Sequence, residues 1–197
     1  MYENKIITEP KWKSWIIETN SPLLTSEQCR MVIDCGRSQP PQKAQVGMNK
    51  PGGGVDTNKR VTTISWIPFQ ALPQLYQTLD TFIQKANLNH FGFDDIRITE
   101  QAQFTEYPEG GFYDWHMDID LVMKKEPPVR KISMTLVLSH ESEFEGGGLE
   151  LGKPGNILRP KQGHAIFFAS FVNHRVVPIT KGLRKSLVMW FGGEPFK

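Results

Sequence analysis

Two histidines and an aspartate in the C-terminal half of the chain could together hold a metal ion. His116 and Asp118 lie two residues apart in YDWHMD, so a strand that ends there could direct both side chains to one point. His174 follows later, in FVNHRVV. Two imidazoles and one carboxylate can bind Fe(II) on three positions and leave three open, although the same ligands could hold zinc. The His-x-Asp motif alone is weak, because a surface histidine beside a solvated aspartate gives the same pattern.

Arg184 follows His174 by ten residues and could bring a cation to the same site. In the predicted strand RKSLV, Arg184 and Ser186 alternate onto one face, and Lys185 faces the other way. If the intervening turn holds an odd number of residues, His174 and Arg184 share one side of a hairpin. That side would offer a metal ligand, a hydroxyl and a guanidinium fork that suits a carboxylate. A carboxylate co-substrate beside the metal favours iron over zinc.

Short strands must position these residues. After Ile96 the chain consists of short runs rich in β-branched and aromatic residues, separated by Gly, Pro, Asn and Lys turns. This spacing favours a jelly roll or sandwich over parallel βαβ units. The predicted strands are 61–67, 96–106, 111–117, 131–138, 148–152, 156–159, 165–169, 174–178 and 184–191.

Two amphipathic helices are predicted in the first half of the chain. Thr25 is expected to cap the first helix, with Gln28 three residues later and Gly36 closing it. The second helix begins at Pro73 and places its apolar side chains on one stripe. Both helices have the pattern of a helix that covers a sheet.

Two segments, 39–58 and 119–129, have no periodicity and are interpreted as mobile loops that could contact a substrate. The whole chain, 1–197, is expected to form a single domain. In it, residues 1–95 provide helical support and a mobile loop, and residues 96–193 form the jelly-roll core.

Composition and charge exclude several classes of protein. The chain has 197 residues, of which 39% are hydrophobic and 22% charged, so one globular core is expected. The formal net charge of +2 gives no strong nucleic-acid footprint, and no apolar run predicts a signal peptide or a membrane span. Cys29 and Cys35 are too far apart on the predicted helix for a disulfide, which favours reduced thiols and a cytoplasmic location. The pattern leaves the oligomeric state open.

Taken in order, these motifs resemble the Fe(II)/2-oxoglutarate-dependent dioxygenase superfamily. The likeness lies in HMD, in FEGGGLELG and in the His174 to Arg184 spacing with its R-x-S continuation. Within the superfamily, YPEGGFYDWHMD and RKISMTLVLS resemble the prolyl 4-hydroxylase-like branch, including its small bacterial and phage-borne members. The resemblance covers about residues 96–193. It implies a mainly β fold with supporting α-helices, a double-stranded β-helix of the cupin-like jelly-roll type.

The resemblance also implies cofactors and roles for particular residues. The cofactors would be Fe(II), 2-oxoglutarate and O2 as co-substrates, and ascorbate. The residues that bind iron would be His116, Asp118 and His174. The distal carboxylate of 2-oxoglutarate would be bound by a further catalytic residue, Arg184, with Tyr107 and Ser186.

Three more residues fall where prolyl 4-hydroxylases place substrate contacts: Tyr113, Arg130 and Trp190. Core packing would explain the two aromatic residues equally well, and a surface charge would explain the arginine. His140 and His164 are rival third ligands. Neither precedes an arginine at the family's spacing, so both are interpreted as solvated loop residues.

The resemblance favours hydroxylation of a prolyl residue in a peptide or protein, or of free proline, with release of succinate and CO2. Nucleic-acid demethylation on the same scaffold is an alternative, but the positions where repair members carry asparagine and a second arginine are Thr105 and Trp190. A non-catalytic metal-binding jelly roll that senses or binds a partner is the alternative from a different class.

Overall fold

The structure is a computed structural model that describes residues 14–44, 56–119 and 128–196. Of the two segments interpreted as loops, the parts 45–55 and 120–127 lie outside the described residues. Their expected mobility and contact with a substrate therefore stay predictions.

Two α-helices lie in the first half of the chain, as predicted. In α1 (Ser26–Ser38), the Thr25 hydroxyl accepts the Gln28 backbone N–H and the Gln28 side chain accepts the Thr25 N–H, which confirms the capping box. The prediction that Gly36 ends the helix is wrong. Gly36 lies inside α1, where a Cβ would come within 2.3 Å of the Phe104 ring, so the glycine allows close packing. The second helix, α2 (Pro73–Ala86), starts at Pro73 as predicted and continues into a π-helical turn at 87–91.

Fifteen strands lie in the described ranges, and all their pairings are antiparallel. They are β1 (Ile16–Glu18), β2 (Gln42–Lys43), β3 (Arg60–Val61), β4 (Thr63–Ile67), β5 (Arg97–Ile98), β6 (Ala102–Tyr107), β7 (Phe112–His116), β8 (Val129–Val137), β9 (Phe144–Gly146), β10 (Leu149–Leu151), β11 (Ile157–Leu158), β12 (Ala165–Ala169), β13 (His174–Val176), β14 (Ile179–Gly182) and β15 (Arg184–Gly193).

The strands form two principal sheets. The main sheet has the order β1-β12-β8-β15-β6-β4-β2, with β5 beside β15, and the smaller sheet has the order β11-β10-β13-β7-β3. A further pair, β14 and β9, stands apart from both. This mainly β jelly roll with supporting helices confirms the predicted double-stranded β-helix.

Alternating residues of the main sheet belong to two different hydrophobic clusters. Phe167 and Leu187 pack with the helices in one cluster, whereas Ile166 and Phe168 pack with Leu149 of the smaller sheet in the other. The helices therefore cover the outer face of the main sheet. Its inner face meets the smaller sheet, and the space between the two sheets is where a site can form.

Some strand predictions need correction. The predicted strand 96–106 is two strands, β5 and β6, which pair with different parts of β15. β2 lies in a segment interpreted as a loop, and β1, β9 and β14 were also missed. These strands have only two to four residues, too few to show a period in the sequence.

Neither of the described helices is long and apolar enough to cross a membrane.

Cys29 and Cys35 are free thiols, as expected, and burial raises the pKa of Cys29 to about 11. The single-domain organisation and the cytoplasmic location stay predictions.

Candidate metal and co-substrate site

The structure brings His116, Asp118 and His174 together between the two sheets. His116 ends β7, His174 begins β13, and the two residues are directly opposite each other in the smaller sheet. Asp118 follows β7 by two residues, and its carboxylate lies 3.6 Å from His116 Nε2 and 3.5 Å from His174 Nε2. One ligand atom from each of the three residues lies within 4.8 Å of the others, which is a spacing that one metal ion can span.

Hydrogen bonds fix the orientation of each candidate ligand. His116 Nδ1–H donates to the Asp114 carbonyl at 2.8 Å, and His174 Nδ1–H donates to the Val172 carbonyl at 3.0 Å. Because a carbonyl can only accept, both rings carry their proton on Nδ1 and offer a bare Nε2 to a metal. The Ser133 hydroxyl donates to Asp118 Oδ2 at 2.7 Å.

Electrostatics keep His116 and Asp118 in the form that binds a cation. Burial, reinforced by the neighbouring His174, lowers the pKa of His116 to about 3. Burial raises the pKa of Asp118, but the two imidazoles and Ser133 outweigh it and lower that pKa to about 2. Near neutral pH the site therefore has a neutral His116 imidazole and an ionised carboxylate, the states that ligate metals. The donor set fits Fe(II) and, by itself, would also fit zinc.

The three residues line a cavity of about 570 Å³ between the sheets. The three residues expected at the substrate also line it: Tyr113, Arg130 and Trp190. The Tyr113 ring stacks on the His116 ring at 3.5 Å between centroids, and burial raises the pKa of its hydroxyl to about 12.

Arg184 lies in β15, directly opposite Tyr107 of β6. Its side chain is fully buried, donates to the Ser186 hydroxyl at 3.1 Å and lies 5.6 Å from the centre of the Tyr107 ring. Among the described residues it has no acidic partner, and burial lowers its pKa below the ordinary value. A buried cation without an anion fits the carboxylate of 2-oxoglutarate. Lys185 points to the opposite face, as predicted, and pairs with Glu143.

Two details of the Arg184 prediction are corrected. His174 and Arg184 do not form a hairpin, because β14 lies between them and β13 and β15 belong to different sheets. Arg184 also lines a second cavity, of about 300 Å³, rather than the one beside His174, whereas Tyr107 lines the larger one. The guanidinium lies 5.6 Å from the centre of the Tyr107 ring, which lines the larger cavity.

Arg130 is held by a residue that the sequence analysis missed. Its Nε and Nη2 each donate to one carboxylate oxygen of Glu100 at 2.5 Å, and its guanidinium lies 3.8 Å from the Trp190 ring centre. Glu100 lies between β5 and β6, outside any motif. The alternative interpretation of Arg130 as a surface charge is wrong, because its side chain is only 12% exposed. The Arg130 guanidinium also covers part of the Trp190 ring that was expected to contact a proline.

The rival ligands lie elsewhere. His140 is exposed, as expected, and bonds to Ser142 beside a 3₁₀ turn. His164 lies in a loop and outside the ligand cluster, as predicted, but it is not fully solvated. It is half-buried, and its Nδ1–H donates to the Thr19 carbonyl at 2.8 Å.

Comparison with known proteins gives a consistent family. Residues 102–192 match the family described as the 2OG-Fe(II) oxygenase superfamily. A PKHD-type hydroxylase of Colwellia psychrerythraea is 32% identical over 130 residues, which are 63% of this chain and 58% of that protein. A PKHD-type hydroxylase of Idiomarina loihiensis is 38% identical over 99 residues, 48% of this chain and 44% of that protein. The chain spans about half the length of the curated relatives it matches.

Solved structures share the fold. A prolyl-4-hydroxylase of Pseudomonas putida superposes with a TM-score of 0.66 at 22% identity, over 92% of this chain and 94% of that one. The viral collagen prolyl hydroxylase of Paramecium bursaria Chlorella virus-1 superposes with a TM-score of 0.69 at 16% identity, over 91% of this chain and 97% of that one. A prolyl hydroxylase of Trichoplax adhaerens, in complex with a hypoxia inducible factor peptide, superposes with a TM-score of 0.67 at 21% identity, over 91% of this chain and 84% of that one.

Proposed function

We propose that the chain, which matches the 2OG-Fe(II) oxygenase superfamily over residues 102–192 and resembles its prolyl 4-hydroxylase-like branch, hydroxylates a prolyl residue in a peptide or protein. The family implies Fe(II), 2-oxoglutarate and O2. The observation that carries the proposal is the convergence of two bare Nε2 atoms and one carboxylate on a cavity wall. The buried Arg184, which has no acidic partner among the described residues, supports it.

Each residue of the site then has a task. His116, Asp118 and His174 would hold the iron, and Arg184, with Tyr107 and Ser186, would hold the distal carboxylate of 2-oxoglutarate. When bound, iron and 2-oxoglutarate supply the oxidation: 2-oxoglutarate is converted to succinate and CO2, and one oxygen atom enters a C–H bond of the substrate. Ascorbate as a further cofactor stays a prediction.

The protein contributes orientation and exclusion of water. The carbonyl bonds at Nδ1 hold both imidazoles, and Ser133 holds Asp118, so the ligand atoms are placed before the metal arrives. Tyr113 stacked on His116 covers one side of the metal site with an aromatic ring. A substrate would approach through the cavity beside Arg130 and Trp190, which form its wall.

A prolyl substrate is supported by the relatives named hydroxylases and by the structural neighbours named prolyl hydroxylases, one of them with a peptide bound. The alternative of nucleic-acid demethylation gains no support from Arg130 or Trp190 of the cavity. Its Arg130 is neutralised by Glu100, and Trp190 is buried against Arg130. A cytoplasmic location fits the free thiols and is proposed with the function.

Succinate production tests the proposal. Wild-type protein with Fe(II), 2-oxoglutarate and O2 should form succinate, and proline-containing peptides should stimulate it and gain one oxygen by mass spectrometry. Asp118→Ala should abolish turnover because the open octahedral site needs all three ligands. Asp114→Asn is the matched control, since the Asp114 side chain pairs with Lys59 and only its backbone contacts His116.

Two results would contradict the proposal. Full activity of Asp118→Ala would reject the iron site. Stimulation by methylated DNA, with none by any prolyl peptide, would reject the substrate and leave the iron chemistry in place.

A further inference from the structure

Two residues that line the cavity beside the metal ligands each carry a buried hydrogen-bond donor that has no acceptor among the described residues. Arg60 Nε and Trp190 Nε1 are the two buried side-chain polar atoms that lack a partner in the described part of the chain. The two residues are 9% and 6% exposed, and both line the 570 Å³ cavity. A buried donor without an acceptor costs about 1–3 kcal/mol, so such donors are rarely left unpaired without a reason. The two residues are therefore candidates to bind a ligand that brings acceptor atoms into the cavity.

The two donors belong to one continuous surface. Arg60 Nη2 donates to Gln103 Oε1 at 3.0 Å. In the main sheet Gln103 is opposite Trp66 on one side and Val188 on the other, and all three line the cavity. The Trp66 ring lies 6.2 Å from the Trp190 ring. Arg60 and Trp190, together with Gln103, which accepts from Arg60, lie on one wall of the cavity, and we call these three residues the donor patch.

The donor patch lies next to the metal ligands. The Arg60 guanidinium is 4.4 Å from the centre of the Tyr113 ring, and that ring stacks on His116. Only the Tyr113 ring would thus separate a group bound by Arg60 from the candidate metal ligand His116. The patch is distinct from Arg184, which lines the other cavity.

Charge decides which acceptor fits. Two cations near the site are neutralised, Arg130 by Glu100 and Lys59 by Asp114. Arg60 has no ion pair among the described residues, and Lys43, at the same cavity, has none either. A buried cation favours an anion over a neutral carbonyl, and a guanidinium fork matches a carboxylate.

We propose that the donor patch binds a carboxylate of the primary substrate, separately from the 2-oxoglutarate carboxylate at Arg184. This inference rests on the proposed function and narrows its substrate to an anionic one. The carboxylate could be the α-carboxylate of a free or C-terminal proline, or an acidic side chain beside an internal proline. Both present the same chemistry to Arg60.

Binding without turnover tests the inference. The protein is loaded with Mn(II) and saturating 2-oxoglutarate in the absence of O2, and ligands are titrated by calorimetry. One arm compares N-acetyl-L-proline with N-acetyl-L-prolinamide. The other compares end-blocked Gly-Pro-Asp-Gly with Gly-Pro-Asn-Gly. In at least one arm the carboxylate ligand should bind about tenfold or more tightly than its amide, and that arm identifies the source of the carboxylate.

Variants assign the effect to the patch. Arg60→Gln should bring the ratio of the affinity for the carboxylate ligand to that for its amide close to one. Trp190→Phe, which keeps an aromatic ring but loses the N–H, should lower this ratio. Arg60→Lys keeps the charge and should retain part of the preference, which covers the case in which Arg60→Gln folds poorly. Arg97→Gln removes an exposed arginine that pairs with Glu194 outside the cavity, and it should leave the ratio unchanged.

Equal binding of acid and amide in both arms, or no binding of either, would overturn the inference. So would a preference that survives in Arg60→Gln, or a loss of 2-oxoglutarate binding in that variant, since Arg60 would then serve the co-substrate. Failure of the proposed function gives a different result: 2-oxoglutarate itself would not bind the Mn(II) protein. The comparison of acid with amide can still be made on that protein without 2-oxoglutarate.

Discussion

Gly147 is expected to set the position of Arg184, and its replacement by alanine should weaken 2-oxoglutarate binding. Gly147 follows β9 with a φ of +63°, in the left-handed region that disfavours residues with a Cβ. A Cβ there would lie 2.8 Å from Arg184 Cδ and would overlap the δ-methyl of Ile179. The aliphatic part of Arg184 therefore packs where only a glycine leaves room.

The free-energy cost of the Gly147→Ala substitution has two parts. The left-handed backbone costs about 1–2 kcal/mol for an alanine. Crowding in a packed interior costs about a further 1–3 kcal/mol unless a neighbour moves. Both neighbours must move to admit the Cβ, and displacement of the Arg184 side chain would break its bond to Ser186. A loss of about 1.4 kcal/mol in binding the carboxylate corresponds to a tenfold rise in the KM for 2-oxoglutarate.

Gly152→Ala is the matched control. Gly152 has a similar φ of +74°, but a Cβ there meets nothing within 4 Å. Both variants should lose free energy of unfolding through the backbone, and urea denaturation measures that loss. Only Gly147→Ala should raise the KM for 2-oxoglutarate, in a succinate assay over a range of co-substrate concentrations, with kcat changed less. An unchanged KM in Gly147→Ala, or an equal rise in both variants, would refute the reasoning.

Three further predictions concern the same site. Arg184→Ala should raise the KM for 2-oxoglutarate at least tenfold and Lys185→Ala should not, because Lys185 pairs with Glu143 on the opposite face; the reverse order would show that Lys185 binds the co-substrate. Glu100→Gln should release Arg130 and raise the KM for the peptide but not for 2-oxoglutarate, and equal rises in steady-state kinetics would contradict this. The free energy of unfolding of the metal-free protein should fall as pH drops from about 6.5 towards 3, because the unfolded state takes up a proton that buried His116 excludes. A flat profile in urea titrations would contradict this.

The elements that the sequence predicted well are those specified by nearby residues. The start of α1 follows from Thr25 and Gln28, which bond to each other across one turn. The sequence predicts its end wrongly, because a glycine after a run of helical residues is typical of a helix end, whereas Gly36 is needed for contact with Phe104 of a strand far along the chain. Likewise, β1 forms only because Ile16 meets Phe168 of β12, and three residues carry no signal of that pairing.

The same distinction holds for the site. Strand alternation was enough to place Arg184 and Ser186 inside and Lys185 outside, because the period of two is a local property. The partners across strands were not accessible in this way. No neighbour of Arg60 in the sequence indicates that it faces a cavity, since its burial depends on Gln103 of another strand and on the Tyr113 ring. A buried arginine and a solvated one have the same local pattern, so the residues that would select the substrate become visible only when the two sheets are placed face to face.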